Sequence, residues 1–221
     1  MPKLKLNAAL ETWLQFFDSR RVEMRRQLKS PASEEQIRTA EQKIGVIFPK
    51  DIRELYKTYN GQHSPYKVTY FKDKPNLIEL PFSIDADAFV GNLFGSYEFL
   101  SLDDLVETWM SYKAVRDHPD YSEDDYAGSV SVCTGDLVKK QYINNLWIPI
   151  AKDGGGNTYC FDMDPPDGGI MGQIIVVGPD EDTRKILATG IADLFSNAPS
   201  IANDFYEKDQ RLWFRMEKAI Y

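Results

Sequence analysis

The chain has 221 residues with 26 basic and 34 acidic side chains, a net charge of −8. This excess of carboxylates excludes a phosphate backbone as the main ligand, because phosphates are held by Lys and Arg. The content of 43% hydrophobic and 13% aromatic residues excludes a disordered chain and predicts a sizeable core. An acidic surface favours a basic protein partner or serves solubility alone, and both interpretations stay open at this point.

The cysteine content and the first residues indicate the compartment. Cys133 and Cys160 are far apart and form no C-x-x-C unit, which is typical of a reducing environment. Apolar residues near the start have helical spacing, which predicts an amphipathic helix over 5–28 and not a signal peptide. No run approaches the ~18 apolar residues that a membrane span needs. We therefore predict a cytoplasmic protein that does not enter a membrane.

A helical pair is predicted over residues 33–61. Ser33 and Gln36 have the spacing of a capping box, and Gly45 stands where a helix ends with positive φ. Such a helix–turn–helix would suggest DNA binding in a basic protein. Because its second helix mixes Asp51 and Glu54 with the basic residues and the whole chain is acidic, we interpret it as structural and predict no direct nucleic-acid binding.

The middle of the chain alternates short strands with one helix. Residues 66–71 and 130–133 have strand composition, and Ser101 caps a helix that reaches about Tyr112. The acidic and aromatic run 117–129 contains Pro and Gly and is predicted to be an exposed loop. This loop is either a connection or part of a binding surface.

The stretch 147–177 predicts three strands joined by turns, at 147–151, 158–161 and 173–177. Pro149 indicates a sheet edge or a bulge, and four consecutive aliphatic residues indicate that the third strand is buried on both faces. Tyr159 and Phe161 share one face of the second strand. If that face covers the helices, the opposite face is free to bind. Helices are predicted at about 183–196 and 200–220.

No pattern in the sequence selects a cofactor, a metal ion or a catalytic centre. Five polar residues have calcium-binding oxygens, but their spacing does not match a calcium loop: Asp153, Asn157, Asp162, Asp164 and Asp167. The triple glycine at 154–156 lacks the Lys-Ser/Thr of a phosphate loop. His63 and His118 have no convincing Cys or Ser partner. A hydrolase that uses Asp162 or Asp164 stays open, although nothing selects it.

Three blocks in this order resemble the SUKH superfamily, which includes fungal cell-wall assembly regulators and many bacterial immunity proteins. They are SEEQIRTAEQKIGVIFPKDIRELYKTYNGQ at 33–62, SLDDLVETW at 101–109 and WIPIAKDGGGNTYCFDMDPPDGGIMGQIIVVGPDEDTRKI at 147–186. The resemblance implies a single α+β domain in which a strongly bent antiparallel sheet packs against helices. We divide the chain into a helical extension over 1–30, this domain over 31–200 and a C-terminal helix packed on it over 201–221.

The resemblance also implies a non-catalytic protein-binding module. The leading hypothesis is an immunity protein that neutralises a basic toxin, such as a nuclease, by steric occlusion. The alternative is a regulator of cell-wall and glucan synthesis that acts through an endogenous protein, and a third is an enzyme on a small substrate. The candidate partner-binding residues are Asp120, Glu123, Asp124, Asp125, Asp153 and Asn157.

Overall fold

The computed structural model of the protein describes residues 6–19, 24–63, 67–71, 74–79, 92–95, 97–201, 205–208 and 211–214. The helices in this part are α1 (Leu6–Asp18), α2 (Met24–Gln27), α3 (Glu34–Ile44), α4 (Lys50–Thr58), α5 (Leu102–Arg116), α6 (Glu123–Ala127) and α7 (Ile191–Ile201). The strands are β1 (Lys67–Phe71), β2 (Lys74–Glu79), β3 (Glu98–Phe99), β4 (Ser131–Val132), β5 (Trp147–Lys152), β6 (Thr158–Asp162), β7 (Gln173–Val177), β8 (Thr183–Ala188), β9 (Phe205–Lys208) and β10 (Arg211–Phe214). The α+β class is confirmed.

Six strands form the main sheet in the order β3-β5-β6-β7-β8-β4, while β1–β2 and β9–β10 form separate hairpins. Neighbours in the main sheet are antiparallel, except that β4 and β8 run parallel. The sheet is therefore mixed at one edge. The pairing of β5 with β6 shifts register between Pro149 and Ala151, which confirms the predicted bulge at a residue that lacks an N–H.

The predicted helix caps are confirmed. Ser33 Oγ accepts a hydrogen bond from the backbone N–H of Gln36 at 3.1 Å, and the Ser33 N–H donates to Gln36 Oε1 at 2.8 Å. Gly45 ends α3 with φ of 82°, a conformation that favours glycine. Ser101 caps α5 through Asp104.

The main core lies between the helices and one face of the sheet. That face presents Ile148, Phe161, Ile174 and Val176, and all four are buried in one cluster with the apolar faces of the helices. Phe161 packs edge-on against Phe48, with ring centroids 5.4 Å apart. The prediction that the Tyr159 and Phe161 face covers the helices is therefore confirmed, as is the burial of β7 on both faces.

The opposite face of the sheet is covered, so the prediction that it is free to bind is wrong. Trp147, Cys160, Ile175 and Val177 form a second buried cluster with Val138, which lies on the connection between β4 and β5. The sequence did not show this cover, because it depends on a tertiary contact between the connection and the sheet. Of the residues in this cluster, only Trp147 and Val177, at the margin of the face, also line an open cavity.

The N-terminal helix is docked on the domain. Its apolar stripe is buried in the main core, and the helix packs against α7. The indole N–H of Trp13 donates to the Leu93 carbonyl at 2.9 Å. The predicted helix over 5–28 consists of α1 and the short α2, and residues 20–23 lie outside the described part. The boundaries at 30 and 200 stay predictions.

Of the two helices predicted at the end of the chain, the first was placed too early and the second is wrong. Residues 183–188 form β8, because this segment pairs with β7 and β4, and the backbone bonds of a sheet override helical spacing. The helix begins later, at α7. The predicted helix over 200–220 is replaced by the β9–β10 hairpin in the residues described, whose sequence is rich in aromatic strand formers. The predicted loop 117–129 also contains α6.

Candidate functional site

A concave surface runs beside the C-terminal half of α5, and we call it the α5 groove. It consists of two adjoining cavities that share Val115. The first, of about 170 Å³, is lined mainly by apolar atoms, among them those of Tyr112, Val115, Tyr142, Trp147 and Val177. The second, of about 330 Å³, is lined by Ala114, Val115, His118, Asp120, Tyr121 and Tyr126. We call the first cavity the apolar end of the groove, and the second cavity together with the neighbouring Asp124 and Asp125 of α6 the acidic end.

Of the predicted partner-binding residues, Asp120 lines the second cavity, and Asp124 and Asp125 lie on α6 between two lining residues, Tyr121 and Tyr126. Ser122 caps α6 by accepting from the backbone N–H of Asp125. Asp120, Asp124 and Asp125 are exposed, and the side chain of Asp120 is 91% accessible. In the described residues none of the three forms an ion pair with Lys or Arg. These carboxylates are available to a partner.

Glu123 has a structural role instead. Its carboxylate accepts hydrogen bonds from the Tyr121 hydroxyl at 2.7 Å and from the Tyr142 backbone N–H at 2.9 Å. Arg116 lies 3.4 Å from the same carboxylate and also donates to the Ile143 carbonyl. Glu123 therefore ties the acidic loop to the segment before β5. A direct role in partner binding stays a prediction for this residue.

Asp153 and Asn157 belong to a closed turn between β5 and β6. Asp153 Oδ1 accepts from the backbone N–H groups of Gly155 at 2.9 Å and Asn157 at 2.8 Å. The buried Asn157 amide donates to Asp153 at 2.9 Å, and its oxygen accepts from the Asp180 N–H at 2.9 Å. The pair therefore joins two turns of the sheet, and its predicted binding role stays untested.

A row of stacked rings forms the wall between the two ends. Tyr121 stacks on Tyr126 with centroids 5.2 Å apart, and Tyr126 stacks on Tyr142 at 5.1 Å. Burial, together with the hydrogen bond to Glu123, raises the pKa of Tyr121 to about 12. Burial likewise raises the pKa of Tyr112 to about 12, and its hydroxyl donates to the Gly156 carbonyl at 2.5 Å. These phenols stay neutral at physiological pH.

Arg184 packs against the Tyr142 end of this row of rings. It is fully buried, and its guanidinium donates to the carbonyls of Gln141 at 3.0 Å, Tyr142 at 3.1 Å and Glu181. Its carbon Cζ lies 5.8 Å from the centroid of the Tyr142 ring. Burial lowers the pKa of this guanidinium. No pattern in the sequence reveals the role of Arg184, because its three acceptors are backbone carbonyls.

The carboxylates considered for hydrolysis are engaged in structural contacts. Asp164 contacts Lys139 at 2.6 Å and Asn144 at 2.8 Å. Burial opposes its ionisation, but these two donors outweigh it and hold its pKa below the usual range. Asp162 is fully buried and accepts from the Asp164 N–H and from Gln173. Neither carboxylate lines the groove.

The other titratable groups considered for chemistry show no catalytic arrangement. Burial raises the pKa of the Cys160 thiol to about 12, so this thiol is not a nucleophile at neutral pH. His118 is exposed, with Nδ1 3.6 Å from Asp120. In the described residues no group of three or more His, Cys, Asp or Glu is placed to hold a metal ion. None of the helices described here combines the length and hydropathy required to cross a membrane.

The buried carboxyl group of Asp162 is expected to make the free energy of unfolding depend on pH. Burial is the main cause that raises its pKa in the folded state above the unfolded value of about 3.9. Above pH 4 the Asp162 carboxyl therefore ionises at a lower pH in the unfolded chain than in the folded protein. Because the folded protein then binds more protons than the unfolded chain, the contribution of Asp162 to the free energy of unfolding falls as pH rises towards 7.

We expect Asp162→Asn to remove this contribution. In urea unfolding from pH 4 to pH 7, the variant should gain stability relative to the wild type as pH rises. Asp167→Asn, at an exposed position of the next turn, is the control and should follow the wild type. A constant difference between wild type and Asp162→Asn across this range would contradict the assignment.

The fold and the groove define an α+β protein with a concave surface beside α5. A family model described as the SMI1 / KNR4 family (SUKH-1) matches residues 31–197. This match covers most of the chain, so the chain belongs to that family, and the SUKH resemblance is confirmed.

The chain is similar to named fungal regulators. It is 26% identical over 164 residues to the cell wall biosynthesis/cell cycle regulator smi1 of Schizosaccharomyces pombe, which covers 71% of this chain and 28% of the relative. It is 23% identical over 230 residues to the cell wall assembly regulator SMI1 of Saccharomyces cerevisiae, covering 87% of this chain and 41% of the relative. A glucan synthesis regulatory protein of Neurospora crassa is 41% identical over 51 residues, 23% of this chain and 10% of the relative. The chain thus spans less than half the length of these relatives.

Proposed function

We propose that this protein is a non-catalytic regulator of cell-wall glucan synthesis that acts in the cytoplasm by binding a protein partner. The observation that carries the proposal is the family match, together with relatives named as regulators of cell-wall assembly and glucan synthesis. These names favour the regulatory alternative over the immunity hypothesis, because none of them refers to a toxin or an antidote.

The α5 groove supports binding of a protein in preference to conversion of a small substrate. The ionisable groups that line its acidic end are His118, Asp120 and two tyrosines, and they do not form the nucleophile–base pair that hydrolysis needs. Its uncompensated carboxylates complement a basic partner and speed association with it. The same charge disfavours direct contact with nucleic acid.

The proposed function is tested by deleting the gene in the organism that carries it. We expect lower incorporation of labelled glucose into wall β-glucan and restoration by the wild-type chain. Unchanged incorporation in the deletion strain would contradict the regulatory role.

Neutralising the acidic end should weaken function without unfolding the protein. The triple variant Asp120→Asn, Asp124→Asn, Asp125→Asn is expected to restore glucan incorporation incompletely, because electrostatic attraction of the partner is lost. The matched control Glu35→Gln, Asp103→Asn, Asp167→Asn changes the net charge equally at exposed positions outside the groove. Equal restoration by both variants would exclude the acidic end as the binding surface.

A further inference from the structure

We propose that the α5 groove binds a linear segment of the partner that carries one large apolar side chain next to basic residues. This inference rests on the proposed function and names the chemistry of the partner. The apolar side chain enters the cavity at Tyr112, Tyr142 and Trp147, and the basic residues contact the carboxylates of the acidic end.

The apolar end is the right size for a single side chain. Its volume of about 170 Å³ is close to the ~150 Å³ of an apolar cavity that holds a benzene-sized molecule. Val115 is 49% exposed at its rim; on the same helix Leu102, Leu105, Val106 and Trp109 are buried, whereas Met110 is 47% exposed but does not line the groove. Covering this side chain and filling the cavity removes apolar surface from water, which favours binding.

The charges at the acidic end of the groove indicate that the residues next to the apolar side chain of the bound segment are basic. Lys113 is paired with Asp117, and Arg116 is paired with Glu123, so these two cations of α5 do not pair with Asp120, Asp124 or Asp125. The acidic end therefore carries an excess of negative charge from Asp120, Asp124 and Asp125. Lys or Arg in the bound segment would satisfy these carboxylates, whereas phosphate or an acidic peptide would be repelled.

The length of the tyrosine stack predicts how far the basic residues of the bound segment lie from its apolar residue. The rings of Tyr121, Tyr126 and Tyr142 are separated by successive centroid distances of 5.2 and 5.1 Å. A stack of this length corresponds to about three residues of extended chain, at 3.3–3.6 Å per residue. The basic residues should therefore lie about three positions from the apolar one.

A second copy of this chain fits the α5 groove less well than a basic segment of another protein. Each copy has a net charge of −8 and presents the same carboxylates, so a symmetric contact at the groove would oppose like charges. The groove is also held in place without a ligand, by Glu123 and Arg184. A preformed site reduces the entropic cost of binding a flexible segment.

The test is selection of a random 12-residue peptide library displayed on phage against the immobilised full chain. We expect enriched peptides to contain one Leu, Met, Phe or Trp with Lys or Arg about three positions away. Their affinity is then measured by fluorescence anisotropy. Val115→Glu should weaken binding about tenfold or more, because it places a charge in the apolar cavity.

Two further measurements keep the test independent of folding defects. The triple Asn variant should weaken binding about threefold at low salt, while the Glu35, Asp103 and Asp167 control triple should bind like the wild type. Peptide-induced amide shifts in the wild-type chain should lie in residues 112–126 and 142–147.

The inference is overturned by any of several results: no enriched peptide, enriched peptides that are acidic or lack an apolar residue, or amide shifts elsewhere. Self-association that Val115→Glu abolishes would assign the groove to a second copy instead. The gene deletion assay reads glucan independently of these peptides, so the failure of either proposal is recognised separately.

Discussion

Replacing Gly61 with alanine is expected to lower the free energy of unfolding by about 3–5 kcal/mol. Gly61 has φ of +81°, and a Cβ there would lie 2.3 Å from the Ser101 backbone nitrogen and 2.6 Å from its Cα. Because these atoms belong to the cap of α5, the clash cannot be relieved by a side-chain rotation. The same residue precedes the buried Gln62, which binds the backbone N–H groups of Leu93 and Phe99.

Gly45→Ala is the matched control for this variant. Gly45 has nearly the same φ, +82°, but no atom lies within 4 Å of the position that a Cβ would take. We expect a loss of about 1–2 kcal/mol from the left-handed backbone alone. Urea unfolding of both variants separates steric overlap from backbone strain. Equal losses would contradict the close contact between Gly61 and α5.

Replacing Arg184 with methionine is expected to lower the free energy of unfolding by about 3–5 kcal/mol, because three backbone carbonyls lose the donor that the buried guanidinium provides. Arg184→Lys should also be destabilising, since a single ammonium does not reproduce the planar fork that contacts Gln141, Tyr142 and Glu181. Arg38→Met, at an exposed position of α3, is the control and should change stability by less than about 0.5 kcal/mol.

Arg184 variants should also disturb the α5 groove. Tyr142 is held by the guanidinium below its ring and contributes to both the apolar cavity and the tyrosine stack. We expect the near-ultraviolet circular dichroism of the Arg184→Lys variant to decrease at tyrosine wavelengths. A variant with wild-type stability and an unchanged spectrum would show that the buried guanidinium does not support the wall.

Local signals in the sequence were sufficient for much of the fold. Ser33, Gly45 and Ser101 marked helix ends correctly, because each acts on its own backbone or that of near neighbours. Pro149 marked the bulge for a similar reason. The segment Thr183–Ala188 was misread because its strand pairing depends on β7 and on the distant β4. Sequence spacing of apolar residues contains no information about such partners.

The candidate site was predicted only in part. The acidic run is visible as a cluster in the sequence, and one of its carboxylates, Asp120, lines the groove, while the binding role of Asp120, Asp124 and Asp125 stays a prediction. The apolar end combines residues from α5, the segment before β5 and the end of β7, which are far apart in sequence. Glu123 looked like its acidic neighbours until the structure placed Tyr121 and the Tyr142 N–H against its carboxylate. Exposure of a charged residue is decided by such tertiary contacts.

Our proposal is that this chain regulates glucan synthesis by binding a partner in the α5 groove. It is tested most directly by expressing Val115→Glu in the deletion strain at the wild-type level and measuring labelled glucose in wall β-glucan. Val115 is half exposed, so the variant should keep the melting temperature of the wild type within a few degrees. We predict that the wild type restores glucan incorporation and that folded Val115→Glu does not. Full restoration by Val115→Glu would contradict the claim.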